Sequence, residues 1–74
     1  MTTLYFSISK VSNGRARLQS DRTVAVKSPS GRTWELYVVG DDGIEMFQRY
    51  ANENESKVLS LASKDPRGYS LVSF

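Results

Sequence analysis

The sequence contains neither cysteine nor histidine among its 74 residues. Without cysteine, the chain can form no disulfide, no reactive thiolate and no zinc site with cysteine ligands. Without histidine, it lacks the Ser-His and Cys-His pairs of nucleophilic catalysis and the usual general base near neutral pH. No phosphate-binding G-x-x-x-x-G-K-[ST] or G-x-G-x-x-G motif is present either. These absences predict a protein that is not an enzyme and that uses no cofactor or metal.

Long apolar stretches are also missing, so the sequence predicts no membrane span. Residues 1–6 show neither the charged nor the apolar region of a signal peptide. A chain of this length, with 39% hydrophobic and 24% charged residues, is typical of one small globular domain. We therefore expect a single cytoplasmic domain over residues 1–74, monomeric or homodimeric and without a membrane partner.

The net charge of +2 is unevenly distributed along the chain. Residues 1–37 carry six basic and two acidic side chains, whereas residues 38–74 carry four basic and six acidic ones. One interpretation is that charge merely solvates the surface of a small domain. The other is a basic sheet surface opposed by an acidic helix.

The clearest structural pattern is a β-hairpin between Thr23 and Val39. Two alternating runs flank Ser28-Pro29-Ser30-Gly31, whose proline and glycine are typical of a three-residue loop with a type I turn and a G1 bulge. With Pro29 to Gly31 as the loop, apolar residues pair across the hairpin: Val26 with Trp34, and Val24 with Leu36. A two-residue loop would place Val24 opposite Glu35 instead, on the wrong face.

Further strands are predicted near both ends of the sequence. Leu4, Phe6 and Ile8 alternate with polar residues, and Asn13-Gly14 is a strong signal for a hairpin turn. We therefore expect residues 4–12 and 15–19 to form a hairpin. Tyr69 to Phe74 alternates as well and predicts a C-terminal strand.

A helix is predicted after the central hairpin. Asp41 or Asp42 in the Gly40–Gly43 segment would cap it. Ile44, Phe47, Tyr50 and Ala51 follow at the spacing of one helical stripe. A metal-binding loop is the less favoured interpretation of this segment, because no further ligand pattern follows the two aspartates.

Residues 57–64 fit two structures. They could extend the helix, or they could form a hairpin with residues 69–74 that pairs Leu61 with Val72 and Leu59 with Phe74. We favour the hairpin. The predicted fold is then α+β, with a small antiparallel sheet of four to five strands and one α-helix packed across one face. The predicted core consists of Leu4, Phe6, Ile8, Val24, Val26, Trp34, Leu36, Val38, Ile44, Phe47, Ala51, Leu61, Val72 and Phe74.

Protein binding is the leading functional hypothesis. If the first strand lies beside the strand of residues 33–39, then Tyr5, Tyr37 and Val39 share a surface that points away from the core. Tyrosine is enriched at the energetic centres of interfaces. Alternatively, Tyr5 and Tyr37 only form a cross-strand pair that stabilises the sheet. Exposed strand edges offer a second route, through strand addition or homodimerisation.

Nucleic-acid binding is the second functional hypothesis. Basic residues concentrate in the predicted strands and loops of the first half: Arg15, Arg17, Arg22, Lys27 and Arg32. Such a surface can neutralise phosphates, while exposed tyrosines stack on bases. The sequence contains no RRM-type aromatic motif, helix-turn-helix pattern or zinc finger.

In size and composition the whole chain is similar to the compact accessory proteins of phages and mobile elements. The resemblance rests on no diagnostic motif. It implies a protein without cofactors that binds and modulates, or inhibits, a host machine such as RNA polymerase or a defence nuclease complex.

Overall fold

The computed structural model describes residues 3–11 and 13–73, which contain six strands and one helix. These elements are β1 (Thr3–Lys10), β2 (Ala16–Ser20), β3 (Thr23–Lys27), β4 (Trp34–Val39), β5 (Glu45–Tyr50), α1 (Glu53–Ala62) and β6 (Tyr69–Ser73). All strands join one antiparallel sheet in the order β5-β4-β3-β2-β1-β6. The α+β class is thus confirmed. The predicted strand number is too low, because residues 45–50 form a strand rather than a helix.

The topology is a five-stranded meander followed by one crossover. Successive hairpins connect β1 to β5, and α1 then leads back so that β6 pairs with β1. The β1–β6 ladder runs from Thr3 opposite Ser73 to Ser7 opposite Tyr69. The two edges of the sheet are therefore β5 and β6.

The main core lies between the sheet and α1. Trp34 is 1% exposed, and its indole Nε1 donates a hydrogen bond to Ser60 Oγ of α1 at 3.0 Å. The buried residues of this core are Phe6, Leu18, Ala25, Trp34, Leu36, Ala51, Leu59, Ala62 and Val72. The predicted burial of Trp34 between sheet and helix is therefore confirmed, but the helix is α1, and Phe47, predicted to lie near Trp34, is on the opposite face.

The predicted core is partly confirmed. Five predicted residues are buried in this cluster: Phe6, Trp34, Leu36, Ala51 and Val72. Leu4 and Ile8 pack against it while half-buried. The prediction is wrong for four residues, which are exposed: Val38, Ile44, Phe47 and Leu61. Phe74 and Ser12, which ended two predicted strands, lie outside the described residues.

The central hairpin forms with a register one residue away from the predicted one. Ala25 lies opposite Leu36 and Val26 lies opposite Glu35. Gly31 has a φ of +75° and donates its N–H to the Ser28 carbonyl, as expected for the turn. However, the ladder closes between Ser28 and Thr33, which leaves a four-residue loop.

Ser28 explains the longer loop. Its buried hydroxyl accepts a hydrogen bond from Thr33 Oγ1 at 3.1 Å and lies 2.9 Å from Ser30 Oγ, so it links both ends of the loop. The resulting register turns small Ala25 towards α1, together with Leu36. Val24 and Val26 are buried as predicted, but on the opposite face of the sheet, so the prediction that they share a face with Trp34 and Leu36 is wrong.

The three-residue loop with a bulged glycine occurs instead between β4 and β5. Gly40 N–H donates to the Ile44 carbonyl at 3.0 Å, and Gly43 has a φ of +80°. Asp42 Oδ1 accepts from the Ile44 N–H within this loop. Both aspartates therefore lie in a hairpin turn, and the predicted helix cap at this position is wrong.

Helix α1 begins later, at a capping box. The Asn52 side chain accepts a hydrogen bond from the Glu55 N–H at 2.8 Å, and Glu55 Oε1 accepts from the Asn52 N–H at 3.0 Å. These reciprocal bonds satisfy two backbone donors that a helix start leaves free. The helix then runs to Ala62, so the hairpin favoured for residues 57–64 is wrong.

The same cap predicts a specific dependence of stability on pH. Arg49 donates hydrogen bonds to both Glu55 oxygens at 2.7 and 2.9 Å, and with the Asn52 N–H it lowers the pKa of Glu55 from 4.5 to about 2. A carboxylate with a lowered folded pKa stabilises the protein above its unfolded pKa, and loses that contribution as the pH falls through the folded pKa. Glu55→Gln keeps the capping geometry and removes the titration.

We therefore expect the melting temperature of wild type to be higher than that of Glu55→Gln at neutral pH. The difference in melting temperature should shrink as the pH falls from 4.5 to 2. Circular dichroism at several pH values measures it. Glu53→Gln is the matched control in the same helical turn, because Glu53 is exposed and, among the described residues, its carboxylate forms an ion pair only with Lys57, at 3.7 Å. A difference for Glu55→Gln that stays constant down to pH 2 would contradict the assignment.

Candidate binding face of the sheet

The sheet has one face that α1 and the other described elements leave uncovered, which we call the open face. The strand registers define its composition. It is formed by Thr3, Tyr5, Ser7, Ser9, Arg17, Gln19, Val24, Val26, Glu35, Tyr37, Val39, Glu45, Phe47, Tyr50, Tyr69, Leu71 and Ser73. Its centre and its two margins differ in chemistry.

Ion pairs cover the centre of the open face. Arg17 Nη2 lies 2.6 Å from Glu45 Oε2, and Arg15 Nη2 lies 3.0 Å from Glu35 Oε1. The hydrogen bond from Arg17 lowers the pKa of Glu45 and raises that of Arg17 itself. Beneath these pairs, Val24 is fully buried. On this face, ion-paired side chains rather than a helix thus cover a second, smaller apolar layer.

The Arg17–Glu45 pair also shows the shape of this face. Arg17 lies on β2 and Glu45 on β5, with β3 and β4 between them. Three strand spacings amount to about 14 Å in a flat sheet. Glu45 is also displaced along the strands, because Arg17 aligns with Glu35 whereas Glu45 lies opposite Val39, so the two side chains could not meet across a flat sheet. The sheet must therefore curve towards the open face, which makes its centre concave.

An aromatic cluster of Tyr37, Phe47 and Tyr50 occupies the β5 margin of the open face; we call it the β5 cluster. The Phe47 ring meets the Tyr37 ring edge-on at 5.7 Å between centroids and the Tyr50 ring at 5.2 Å. Phe47 is 51% exposed and Tyr50 is 59% exposed. Tyr37 OH donates a hydrogen bond to Glu35 Oε1 at 3.2 Å. The pKa of Tyr37 is raised mainly by burial and, to a smaller extent, by this hydrogen bond.

A β-bulge brings these rings together. The β4–β5 register shifts between Leu36 and Tyr37, which leaves Gln48 as the extra residue on β5. Phe47 and Tyr50 are three residues apart, a spacing that would put them on opposite faces of a regular strand. With the extra residue between them, both rings lie on the open face.

A second aromatic contact lies at the β6 margin. Tyr5 and Tyr69 stack with centroids 5.3 Å apart, and the Arg67 guanidinium lies 4.8 Å from the Tyr69 centroid. Asp65 holds Arg67 through several hydrogen bonds, of which the shortest is 2.7 Å, and these bonds lower the pKa of Asp65 to about 2. Leu71 is exposed beside this pair.

The tyrosines predicted from sequence lie on the same face but far apart. Strands β2 and β3 separate β1 from β4, so the predicted neighbourhood of the two strands is wrong, and so is the alternative of a Tyr5–Tyr37 pair. Each tyrosine contacts a different aromatic ring, Tyr69 or Phe47. Val39 is half-buried opposite Glu45, at the end of β4.

The predicted basic residues do not form one surface. Arg15 and Arg17 both form ion pairs over the open face, and Arg22 pairs with Asp41 at 2.6 Å. Lys27 lies opposite Trp34 on the helix side, and Arg32 lines a groove of about 720 Å³ between its loop and α1. Within the described ranges, neither Lys27 nor Arg32 has a carboxylate partner.

Sequence reasoning placed Phe47 in a helix core and did not select Tyr50 as a binding residue. Two signals in the sequence could have identified Phe47 and Tyr50 as strand residues. Asp42-Gly43 lies between two runs rich in strand-forming residues, which is a strong indication of a hairpin. The capping box of Asn52 and Glu55 indicates that the helix starts after Tyr50.

Comparison with known proteins assigns no family to this fold and face. The chain matches no protein-family model, no curated protein and no solved structure. Among the described residues, no three His, Cys, Asp or Glu side chains group as a metal site would require. Across the same part of the chain, no helix has the length and apolar character needed to cross a membrane.

Proposed function

We propose that this chain is a non-enzymatic binding protein that recognises a protein partner through the β5 margin of its open face. The observation that carries the proposal is the β5 cluster, whose Phe47 and Tyr50 rings are more than half exposed. Large rings held in place by one another lose little conformational freedom on binding, and aromatic residues are enriched at interface centres.

The rest of the β5 hairpin adds to this apolar surface. Ile44 is exposed, and so is Met46, whose side chain lies on the opposite face of the same strand from Phe47. Contiguous exposed apolar surface marks interaction sites in small proteins. A partner that embraces the β5 edge would bury side chains from both faces of the strand.

The charges beside the cluster are compatible with burial in an interface. Arg17 and Glu45 already satisfy each other, so covering them leaves no isolated charge. Interfaces typically have few unpaired charges at the centre and a polar rim. The ion pairs of the open face can therefore form part of the polar rim of an interface whose apolar centre is the β5 cluster.

Nucleic-acid binding is the alternative function, with weaker support. Carboxylates already neutralise Arg15, Arg17 and Arg22, three of the basic residues on which this hypothesis depends. Phosphate contacts would have to replace those ion pairs. Lys27 and Arg32 are the better test of this function, because reversing Arg15 and Arg17 would also disrupt the cover over Val24.

The resemblance to phage and mobile-element accessory proteins indicates which partners to examine first. Host RNA polymerase and defence nuclease complexes are large assemblies with many exposed surfaces, and a small protein can modulate them without any chemistry of its own. The proposal is therefore that the chain acts stoichiometrically by occupying such a surface.

The test compares capture from host lysate by wild type and by the double variant Phe47→Ser/Tyr50→Ser. Each substitution should weaken binding of the captured partner by about 2 kcal/mol, or roughly 30-fold, in a calorimetric titration. Leu61→Ser is the matched control, because Leu61 is an exposed apolar residue on α1. Circular dichroism should show all variants folded.

Two results would contradict the proposal. One is capture that is unchanged in the double variant. The other is capture that nuclease treatment abolishes and that Lys27→Glu/Arg32→Glu reduces, with a steep dependence on salt concentration, which would establish the nucleic-acid alternative.

A further inference from the structure

The two edges of the sheet differ in how well they resist pairing with another strand. Strand β5 carries Glu45 and Arg49, and its ladder contains the bulge at Gln48. Charges and bulges are the usual protection of an edge strand. Strand β6 has the sequence Tyr-Ser-Leu-Val-Ser, with no charge and no proline. Its ladder with β1 shows no register shift, so β6 is the unprotected edge.

The hydrogen bonds of β6 define which of its backbone groups are free to pair. Ile8 N–H donates to the Gly68 carbonyl at 2.9 Å, so these opposed residues form a hydrogen-bonded pair. Hydrogen-bonded and non-hydrogen-bonded pairs alternate along an antiparallel ladder. Ser70 and Val72 therefore direct their backbone groups to β1, while Tyr69, Leu71 and Ser73 direct theirs outwards.

This outward pattern is complementary to itself. A second copy placed antiparallel, with its two-fold axis through Leu71, sets Leu71 opposite Leu71 and Tyr69 opposite Ser73. All three outward residues of each copy are then hydrogen-bonded pairs, with about six bonds between the chains. A shift by one residue would bring opposite faces together, and a shift by two would lose one of the pairs.

The side chains favour the same arrangement. Leu71 is 65% exposed on the open face, where it would meet its counterpart beside the stacked Tyr5 and Tyr69 rings. The strand is uncharged, so two copies meet without repulsion. We propose that β6 is a self-association edge through which two copies form one continuous twelve-stranded antiparallel sheet, twice the six strands of one chain.

The inference is independent of the proposed function. It uses the edge opposite the β5 cluster and would hold whatever partner that cluster binds. Isologous pairing around a two-fold axis closes the assembly at two copies, because each chain has one β6 edge to offer. Partner capture and self-association can therefore fail separately.

Sedimentation equilibrium over a wide concentration range tests the inference. The mass of wild type should rise from the 8.3 kDa of one chain towards twice that value. Leu71→Lys places two like charges opposite each other and should raise the dimer dissociation constant by roughly tenfold or more. Met46→Lys is the matched control, because Met46 is 66% exposed on the other edge strand. This variant should show the same increase of mass with concentration as wild type.

Cross-linking gives a second readout that does not depend on tolerating a charge. The chain has no cysteine, so Leu71→Cys introduces a single thiol. Opposed residues in a hydrogen-bonded pair have Cα atoms about 5.5 Å apart, within the range that a disulfide spans. Leu71→Cys should oxidise to a covalent dimer, whereas Met46→Cys should remain monomeric.

Three results would overturn the inference. The first is a wild type that stays monomeric up to about 1 mM, together with a Leu71→Cys variant that does not cross-link faster than Met46→Cys. The second is a dimer that survives Leu71→Lys. The third is a dimer that Met46→Lys abolishes, since its interface would then lie at β5.

Discussion

Trp34→Ala should lower the free energy of unfolding by about 3–5 kcal/mol, the usual cost of removing a large buried side chain. The indole is 1% exposed and lies between the sheet and α1, where it also donates a hydrogen bond to Ser60. Proteins have roughly 0.05–0.15 kcal/mol of stability per residue, or about 4–11 kcal/mol for a chain of this length. The substitution should therefore remove a large fraction of the stability of the fold.

Urea denaturation followed by circular dichroism measures this loss. Ser60→Ala is the control for the hydrogen bond, because it removes only the acceptor and should cost about 1–3 kcal/mol. In wild type, the Trp34 fluorescence should be blue-shifted and poorly quenched by iodide. A Trp34→Ala variant as stable as wild type would show that the indole does not join the helix to the sheet.

Leu59→Ala should cost about 2–5 kcal/mol, because Leu59 is fully buried on the side of α1 that packs against the sheet and the cavity left behind would not be filled. Leu61→Ala should cost less than about 0.5 kcal/mol, since Leu61 is 73% exposed on the same helix. Both substitutions remove the same atoms. Their different outcomes therefore depend only on the direction each side chain takes from the helix.

This pair also distinguishes the helix from the hairpin interpretation of residues 57–64. In a strand, Leu59 and Leu61 would point to the same face, and the two alanine variants would lose similar stability. In α1, two residues correspond to a rotation of more than half a turn. Equal losses in chemical denaturation would contradict the helical assignment.

The central hairpin could be predicted from sequence, but its register could not. Alternation, proline and glycine identify the two strands and the turn. The register was wrong because Thr23–Lys27 contains no polar residue between its valines: Val24, Ala25 and Val26 are all buried. Ion pairs cover one side of β3 and α1 covers the other, so hydrophobicity alone does not show which side faces the helix.

The β5 strand was missed for a different reason. The three-residue spacing of Ile44, Phe47 and Tyr50 is typical of a helix, yet the bulge at Gln48 lets Phe47 and Tyr50 share one face of an edge strand at that same spacing. A bulge depends on how two strands meet, and that information is not local. The capping box at Asn52 is local, and it correctly indicates where the helix starts.

Parts of the candidate site could be predicted, because alternation alone directs Tyr5 and Tyr37 away from the core. Their ring partners could not, since Tyr69 and Phe47 become neighbours only through the strand order. The same holds for the Arg17–Glu45 pair, which crosses two intervening strands. Charge composition indicated a basic first half, but the fold pairs much of that charge with carboxylates.

The pairing of β1 with β6 has a consequence for folding during synthesis. The ribosome completes β1 to β5 and α1 before it makes β6, so each of the meander's hairpins can form early from local contacts. The Thr3–Ser73 end of the β1–β6 ladder cannot form until Ser73 has been synthesised. Until β6 arrives, β1 is itself an exposed edge, and Phe6 lacks part of its cover. The nascent chain therefore passes through a stage in which β1, rather than β6, is the free edge at that side of the sheet.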